Sequence, residues 1–243
     1  MVKSILIALL LVPVMAIASN EIKLDTAPVN LYDTISLQRG VHIFVNYCVT
    51  CHNAAYMRYD RLQDLGLTEQ QIKDNLMFAV AKRVGDTMTV AMDKNDAKDW
   101  FGTTPPDLSL IARSRGADWL YTYLRGFYRD NTTHTGWNNT VFPRVGMPHV
   151  LHVLQGVQVL NTEVQTDALG HKHEVQKLVL ETQGTLTPAQ YDMLVADLVN
   201  YLVYMADPAK TFRIQLGIYV LFFLAIAFVA TYMLKKEFWK DVH

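Results

Sequence analysis

This sequence predicts a mainly α domain with a small β-hairpin insert and one C-terminal membrane-spanning helix. Three observations predict it. Apolar residues recur at helical spacing before and well after a closely spaced cysteine pair. Strand-like alternation appears once, around a polar tip at Gly170. Two long apolar runs lie at opposite ends of the 243-residue chain.

The N-terminal run has a basic start at Lys3, an apolar stretch Ile5–Val14 and the small-residue site Ala16-Ile17-Ala18. That layout predicts a secretory signal peptide over residues 1–18, followed by an exported domain over 19–212. Residues 19–34 read as an extended lead-in. A helix begins near Ser36, with Val41, Phe44 and Val45 on its apolar face up to Cys48, and Gly40 one turn before Phe44. A second helical pattern runs over Thr68–Val84, with Thr68 as cap. Thr103-Thr104-Pro105-Pro106-Asp107 is a rigid turn, because two prolines fix φ and remove donors. Leu108–Ala112 and Trp119–Phe127 then read as helices separated by Gly116. Residues 131–149 form a long irregular stretch, the kind of loop that tends to carry function.

Val157–Leu160 and Val175–Glu181 predict the two arms of a hairpin within a polar insert, 156–186. Thr187-Pro188 opens a final helix, with Thr as cap and Pro at the first helical position. Its apolar face is Leu194, Leu198, Tyr201, Leu202 and Met205, and Asp207-Pro208 stops it. The second long run, Ile214–Leu234, contains no charge and is long enough to cross a hydrocarbon core of about 30 Å. Lys235, Lys236 and Lys240 follow it, with Phe238 and Trp239 at interface positions. An anchor over 213–235 and a cytoplasmic tail over 236–243 are therefore expected, with the exported domain on the far side of the membrane. Formal net charge is −1, so there is no basic field for a nucleic acid.

The only two cysteines lie in Cys48-Val49-Thr50-Cys51-His52. Two thiols at this spacing reach the two vinyl groups of one haem, and the following histidine is placed to bind its iron. Covalent attachment as haem c would consume both thiols and leave none for a disulfide. A redox dithiol would sit in a βαβ pattern, and nothing alternates before Cys48. A zinc site would need further ligands at matched spacing; His171 and His173 fall at the hairpin tip, where solvation is expected.

The second axial ligand decides what such a haem does: an open position suits gas binding or peroxidase chemistry, and a thioether closes it. Met57 is too near His52 in sequence. Met193 and Met205 belong to the last helix and Met233 to the span, where packing is the default. Met147, in Pro143-Arg144-Val145-Gly146-Met147-Pro148, has flanking prolines to hold its sulfur, and residue types favour it. Met88 and Met92 remain rivals, and His134, His149 or His152 would give bis-histidine ligation. Tyr56 and Tyr59 read as packing residues. Asp93, Asn95, Asp96 and Asp99 read as a solvated turn.

Taken in order, Arg39-Gly40, Tyr47-Cys48-x-x-Cys51-His52, Pro105-Pro106-Asp107-Leu108-Ser109, Gly146-Met147-Pro148 and a last helix feeding a C-terminal span resemble the cytochrome c1 family. These are haem subunits of the ubiquinol–cytochrome c reductase (cytochrome bc1) complex, and the likeness covers roughly residues 30–240. The resemblance implies a class I cytochrome c fold, with Gly40 and Phe44 packed against Leu198 and Tyr201. It implies His52 and Met147 as iron ligands, and Pro105 and Pro106 beside the haem. Arg115, or else Arg113, would hold a propionate, and Trp119 would stand near the haem edge where the family often has tyrosine. It further implies a respiratory electron relay, from the Rieske iron–sulfur subunit to cytochrome c beside cytochrome b, with no substrate chemistry at its own haem. The 156–186 insert and a shorter segment before Pro105 depart from animal members, so the bacterial form fits better, with the haem domain in the periplasm at the inner membrane. An independent membrane-anchored shuttle serving a terminal oxidase is the alternative.

Overall fold

The computed structural model describes residues 23–78, 80–166 and 172–241, so the expected signal peptide lies outside the described residues. Helix α1 (Thr34–Tyr47) starts where the Asp33 carboxylate accepts the Ser36 amide, and ends at Cys48, whose amide returns to Phe44 O. Its partner is α7 (Pro188–Ala206). There Thr187 and Gln190 form a reciprocal capping box and Pro188 occupies the first turn. The two helices cross at Gly40. A Cβ there would run into Asp197 O and the Tyr201 Cβ, so only glycine lets the backbones approach. Phe44 meets Tyr201 in a tilted pair at 5.5 Å, and both rings are fully buried with Leu37, Leu198 and Tyr59 around them. Each such side chain contributes about 1.5–3 kcal/mol by leaving water. The expected pairing of first and last helices is therefore present. Arg39 braces the crossing through a two-pronged contact with Asp197, at 2.6 and 3.0 Å. Its exposure limits that to about 1 kcal/mol.

Between α1 and α7 the chain runs through short elements. Strand β1 (Ala54–Arg58) pairs with β2 (Thr87–Met88), and a 3-10 turn over Tyr59–Leu65 leads to α2 (Glu69–Leu76). Thr68 does cap α2, in a capping box with Gln71. The helix stops well short of Val84, however: Met77 leaves helical geometry at φ −100°, ψ 69°, and farther on Asp86 draws the amides of Lys82 and Arg83 into a turn. Helix α3 (Lys94–Phe101) replaces the expected solvated turn, with Asp93 as its cap. Helix α4 (Ile111–Ser114) begins later than expected, since Asp107 holds the Ser109 amide in a turn. Helix α5 (Ala117–Arg125) follows Gly116, and Phe127 is already in strand β3 (Phe127–Arg129). The irregular stretch hides β4 (Trp137–Asn139), antiparallel to β3, and α6 (His152–Gln155) follows it.

Strands β5 (Gly156–Thr166) and β6 (Lys172–Gln183) make the expected hairpin, with far longer arms than the alternation alone suggested. Gln158 roots it by donating to the carbonyls of Arg125 and Phe127. The tip, with His171, is outside the described residues, as is the side chain of His173. Arg125 ties α5 to α7 and to the lead-in, bonding Asp192 and Asp25 while lying over the Tyr121 ring.

Helix α8 (Lys210–Phe238) is separated from α7 only by Asp207-Pro208-Ala209. None of its 29 residues is buried, and it is the one helix long and apolar enough to cross a membrane among the described residues. At 1.5 Å per residue it is about 43 Å long, more than a hydrocarbon core requires.

Candidate functional site

The end of α1 delivers the cysteine motif into a turn in which the amides of Cys51 and His52 both bond Cys48 O. His52 Nδ1 lies 2.8 Å from Pro106 O. A carbonyl can only accept, so Nδ1 carries the proton and Nε2 keeps its lone pair for a metal. Burial lowers the His52 pKa, which keeps the ring neutral and able to ligate. The Pro-Pro turn is fixed to the same segment from both sides. Leu108 N donates to Asn53 O, Asp107 accepts the Ala55 amide, and Ser109 Oγ accepts the Tyr56 amide. The aspartate and serine of the Pro-Pro-Asp-Leu-Ser run thus position the histidine rather than face a ligand.

Met147 sits in the loop after β4, and two asparagines shape that loop. Asn139 accepts the amides of Val141 and Phe142 and donates to Tyr123 O, while Asn138 accepts the amide of Arg144, the one non-glycine residue with positive φ among those described. Gly146 allows the loop to press on α3: a Cβ would stand 2.9 Å from Phe101 O and 3.0 Å from the Thr103 methyl. The Tyr123 hydroxyl donates to Met147 Sδ at 3.3 Å.

These segments enclose an apolar cleft of about 400 Å³. Cys48, Cys51, His52, Pro105, Pro106, Arg115, Trp119 and Met147 all line it, so the residues assigned to the cofactor from sequence are brought to one place. Leu198 and Leu202 of α7 form its back. Among the described residues no carboxylate lines it, and Arg115 is the only permanent charge. Its guanidinium lies over Trp119 at 5.1 Å and Phe142 at 5.8 Å. Arg113 instead faces Asp207 at 3.9 Å, away from the cleft.

The rival ligands are placed elsewhere. Met57 and Met88 are buried in the core, with the Tyr201 hydroxyl 3.6 Å from the Met88 sulfur. Met92 does not line the cleft, and His134 is exposed. His149 turns the other way, stacking on Phe127 at 4.8 Å, and His152 is exposed beside it. Tyr59 packs in the core as expected, whereas Tyr56 is 79% exposed because β1 is an edge strand. The residues that sequence reasoning missed are Tyr123, Asn138 and Asn139. Only the asparagine pair leaves a trace in sequence, as a local loop-forming signal.

Burial pushes the Cys48 thiol up to about 12 and raises that of Cys51. A lowered thiol pKa is the usual mark of a dithiol oxidoreductase, and neither thiol shows one. A flat apolar cofactor with an anionic edge fits the cleft: hydrophobic walls, one neutral imidazole, one thioether, two thiols and one cation.

The profile described as "Cytochrome C1 family" matches residues 25–242. The chain belongs to the cytochrome c1 family. It is 47% identical to the cytochrome c1 of Allochromatium vinosum over 97% of this chain and 96% of that one. It is 50% identical to a Nitrosomonas europaea protein named ammonia monooxygenase gamma subunit, over 100% of this chain and 99% of that one. It is 30% identical to the cytochrome c1 of Rhodospirillum rubrum, over 87% of this chain and 83% of that one. As a family member the chain carries one haem c, bound covalently through Cys48 and Cys51, and serves electron transport as the haem subunit of a respiratory bc1 complex. It is a membrane-anchored subunit, and α8 is its candidate span.

Proposed function

We propose that this cytochrome c1 holds its haem iron between His52 and Met147 and passes single electrons from the Rieske iron–sulfur subunit to a c-type cytochrome, beside cytochrome b. The observation that carries this is the convergence of His52, its Pro106 carbonyl partner, and Met147 on one apolar cleft without a carboxylate among the described residues. The haem supplies reversible one-electron storage. The chain does the rest: Pro106 fixes the imidazole, Asn139 and Gly146 fix the thioether, and the hydrophobic walls exclude water. Arg115 is assigned to a propionate, in preference to Arg113, since only Arg115 lines the cleft. Trp119 and the two prolines are assigned to contacts with the ring.

The topology belongs to the same proposal. Residues 1–18 direct export, 19–212 form a periplasmic haem domain, 213–235 span the inner membrane, and 236–243 face the cytoplasm. Basic residues at the end of α8 and the leader-like N-terminus support it.

Met147→Leu is the test of ligation: covalent haem stays and the reduction potential falls sharply, because a thioether favours the ferrous state. An unchanged potential would mean that another residue is the ligand. Purification of the native complex tests the partners. Recovery of the haem polypeptide without cytochrome b and a Rieske protein would favour the independent shuttle. The Nitrosomonas relative's name raises an oxygenase role as a second reading. An oxygenase haem needs an open iron position, so rapid stoichiometric CO binding by the reduced wild-type protein would support that reading against ours.

A further inference from the structure

Tyr123 holds none of the roles above, yet its hydroxyl makes the one polar side-chain contact that Met147 Sδ has among the described residues. Its ring is held firmly. Trp119 stacks on one side at 4.8 Å and 11°, and Phe127 meets it edge-on at 5.0 Å. Its backbone is registered too, because Asn139 donates to Tyr123 O while accepting the two amides that begin the methionine loop. Donor and acceptor are therefore set against each other by a single buried side chain, and neither is free to drift. A phenol hydroxyl is a donor at neutral pH.

We infer that Tyr123 is a positioning residue that raises the reduction potential of this subunit by donating a hydrogen bond to the Met147 thioether. The inference rests on Met147 being the iron ligand. A thioether sulfur has two lone pairs, so one can bind iron while the other accepts the phenol. The hydrogen bond withdraws electron density from sulfur. The ferric iron, which needs that density more, loses more than the ferrous iron, and the reduced state is favoured. Hydrogen bonding around a ligand is one of the ordinary levers on haem potential.

Tyr123→Phe removes one oxygen and keeps the ring between Trp119 and Phe127. At a fixed ambient potential it should shift the ferric-to-ferrous ratio about fivefold toward ferric, the weight of one net hydrogen bond. Replacing Tyr123 by 3-fluorotyrosine strengthens the donor without enlarging the ring much, and should shift the ratio the opposite way. The sulfur-to-iron charge-transfer band of the oxidised protein should move in opposite directions in the two variants. Tyr121→Phe, on the same helix but outside the cleft, should move neither quantity. An unchanged ratio and band in both Tyr123 variants, with the band present in the wild type, would overturn the role of Tyr123 and leave Met147 as ligand. Absence of the band from the wild-type protein would overturn the ligation itself, and the inference with it.

Discussion

The α1–α7 crossing and the β5–β6 hairpin are held by opposite means. At the crossing, two helices meet where nothing larger than glycine fits, and the space around them is filled by fully buried rings. The hairpin is a two-stranded ribbon whose described side chains beyond the first few residues are largely exposed, and whose hold on the body is Gln158 and its two stem ends. A lone ribbon of two strands gains little stability for itself. The crossing forms the rear wall of the haem cleft, and among the described residues the hairpin contributes none to the cleft lining. Stability and cofactor geometry thus reside in one region and can be changed independently of the other.

The sharpest way to break that contrast is at Gly40. Gly40→Val is expected to cost about 3 kcal/mol or more through overpacking, seen as a collapse of the thermal transition and loss of assembled holoprotein. If the substitution were tolerated, the helices could part, and the crossing would not be what fixes the cleft.

Next in size is the methionine loop. Asn139→Ala strips a buried donor and an acceptor serving two amides, and should cost about 2–3 kcal/mol in chemical denaturation while weakening Met147 ligation in the absorption spectrum.

A pH effect of similar or smaller size should come from His149. Burial lowers its pKa to about 4 from the ordinary 6.5, outweighing the opposing influence of the Gln155 side chain. The unfolded chain then binds a proton that the folded one does not between pH 6.5 and about 4. Stability is full above that window and falls with pH through it, by roughly 3 kcal/mol at most. His149→Phe should keep the stacking on Phe127 and flatten this slope. An acid profile identical to the wild type would place the acid-labile group elsewhere.

The smallest effect is expected from the hairpin. Replacing residues 160–179 with a short Gly-containing turn should shift the melting temperature by only about 2–4 °C, corresponding to about 1 kcal/mol, and leave the haem spectrum alone. A large loss would show that the ribbon carries part of the core.

The same contrast governs what could be read from the sequence. Thr187-Pro188, the Gly40–Phe44 spacing and Cys48–His52 are local signals with local causes, and each ended where expected. The helix expected over Thr68–Val84 spans only Glu69–Leu76: the backbone turns at Met77, and Asp86 holds the amides of Lys82 and Arg83 in a turn that periodicity cannot show. Strand β4 carries no strand signal, because its three residues are Trp-Asn-Asn, which read as loop. Asn139 matters through carbonyls and amides brought near it by folding, and Tyr123 through a sulfur 24 residues away. Residues whose purpose is to satisfy or tune a distant partner carry no pattern of their own.

The short join between α7 and α8 also has a kinetic meaning. Asp207 meets both guanidinium nitrogens of Arg213 at 2.8 and 2.7 Å, and Arg113 stands near the same carboxylate. With three residues between the helices and one of them proline, there is no tether to swing on. The haem domain is thus joined to its anchor by a link too short to let it travel far along the chain. A partner that loads or unloads it would then have to bring most of the movement itself.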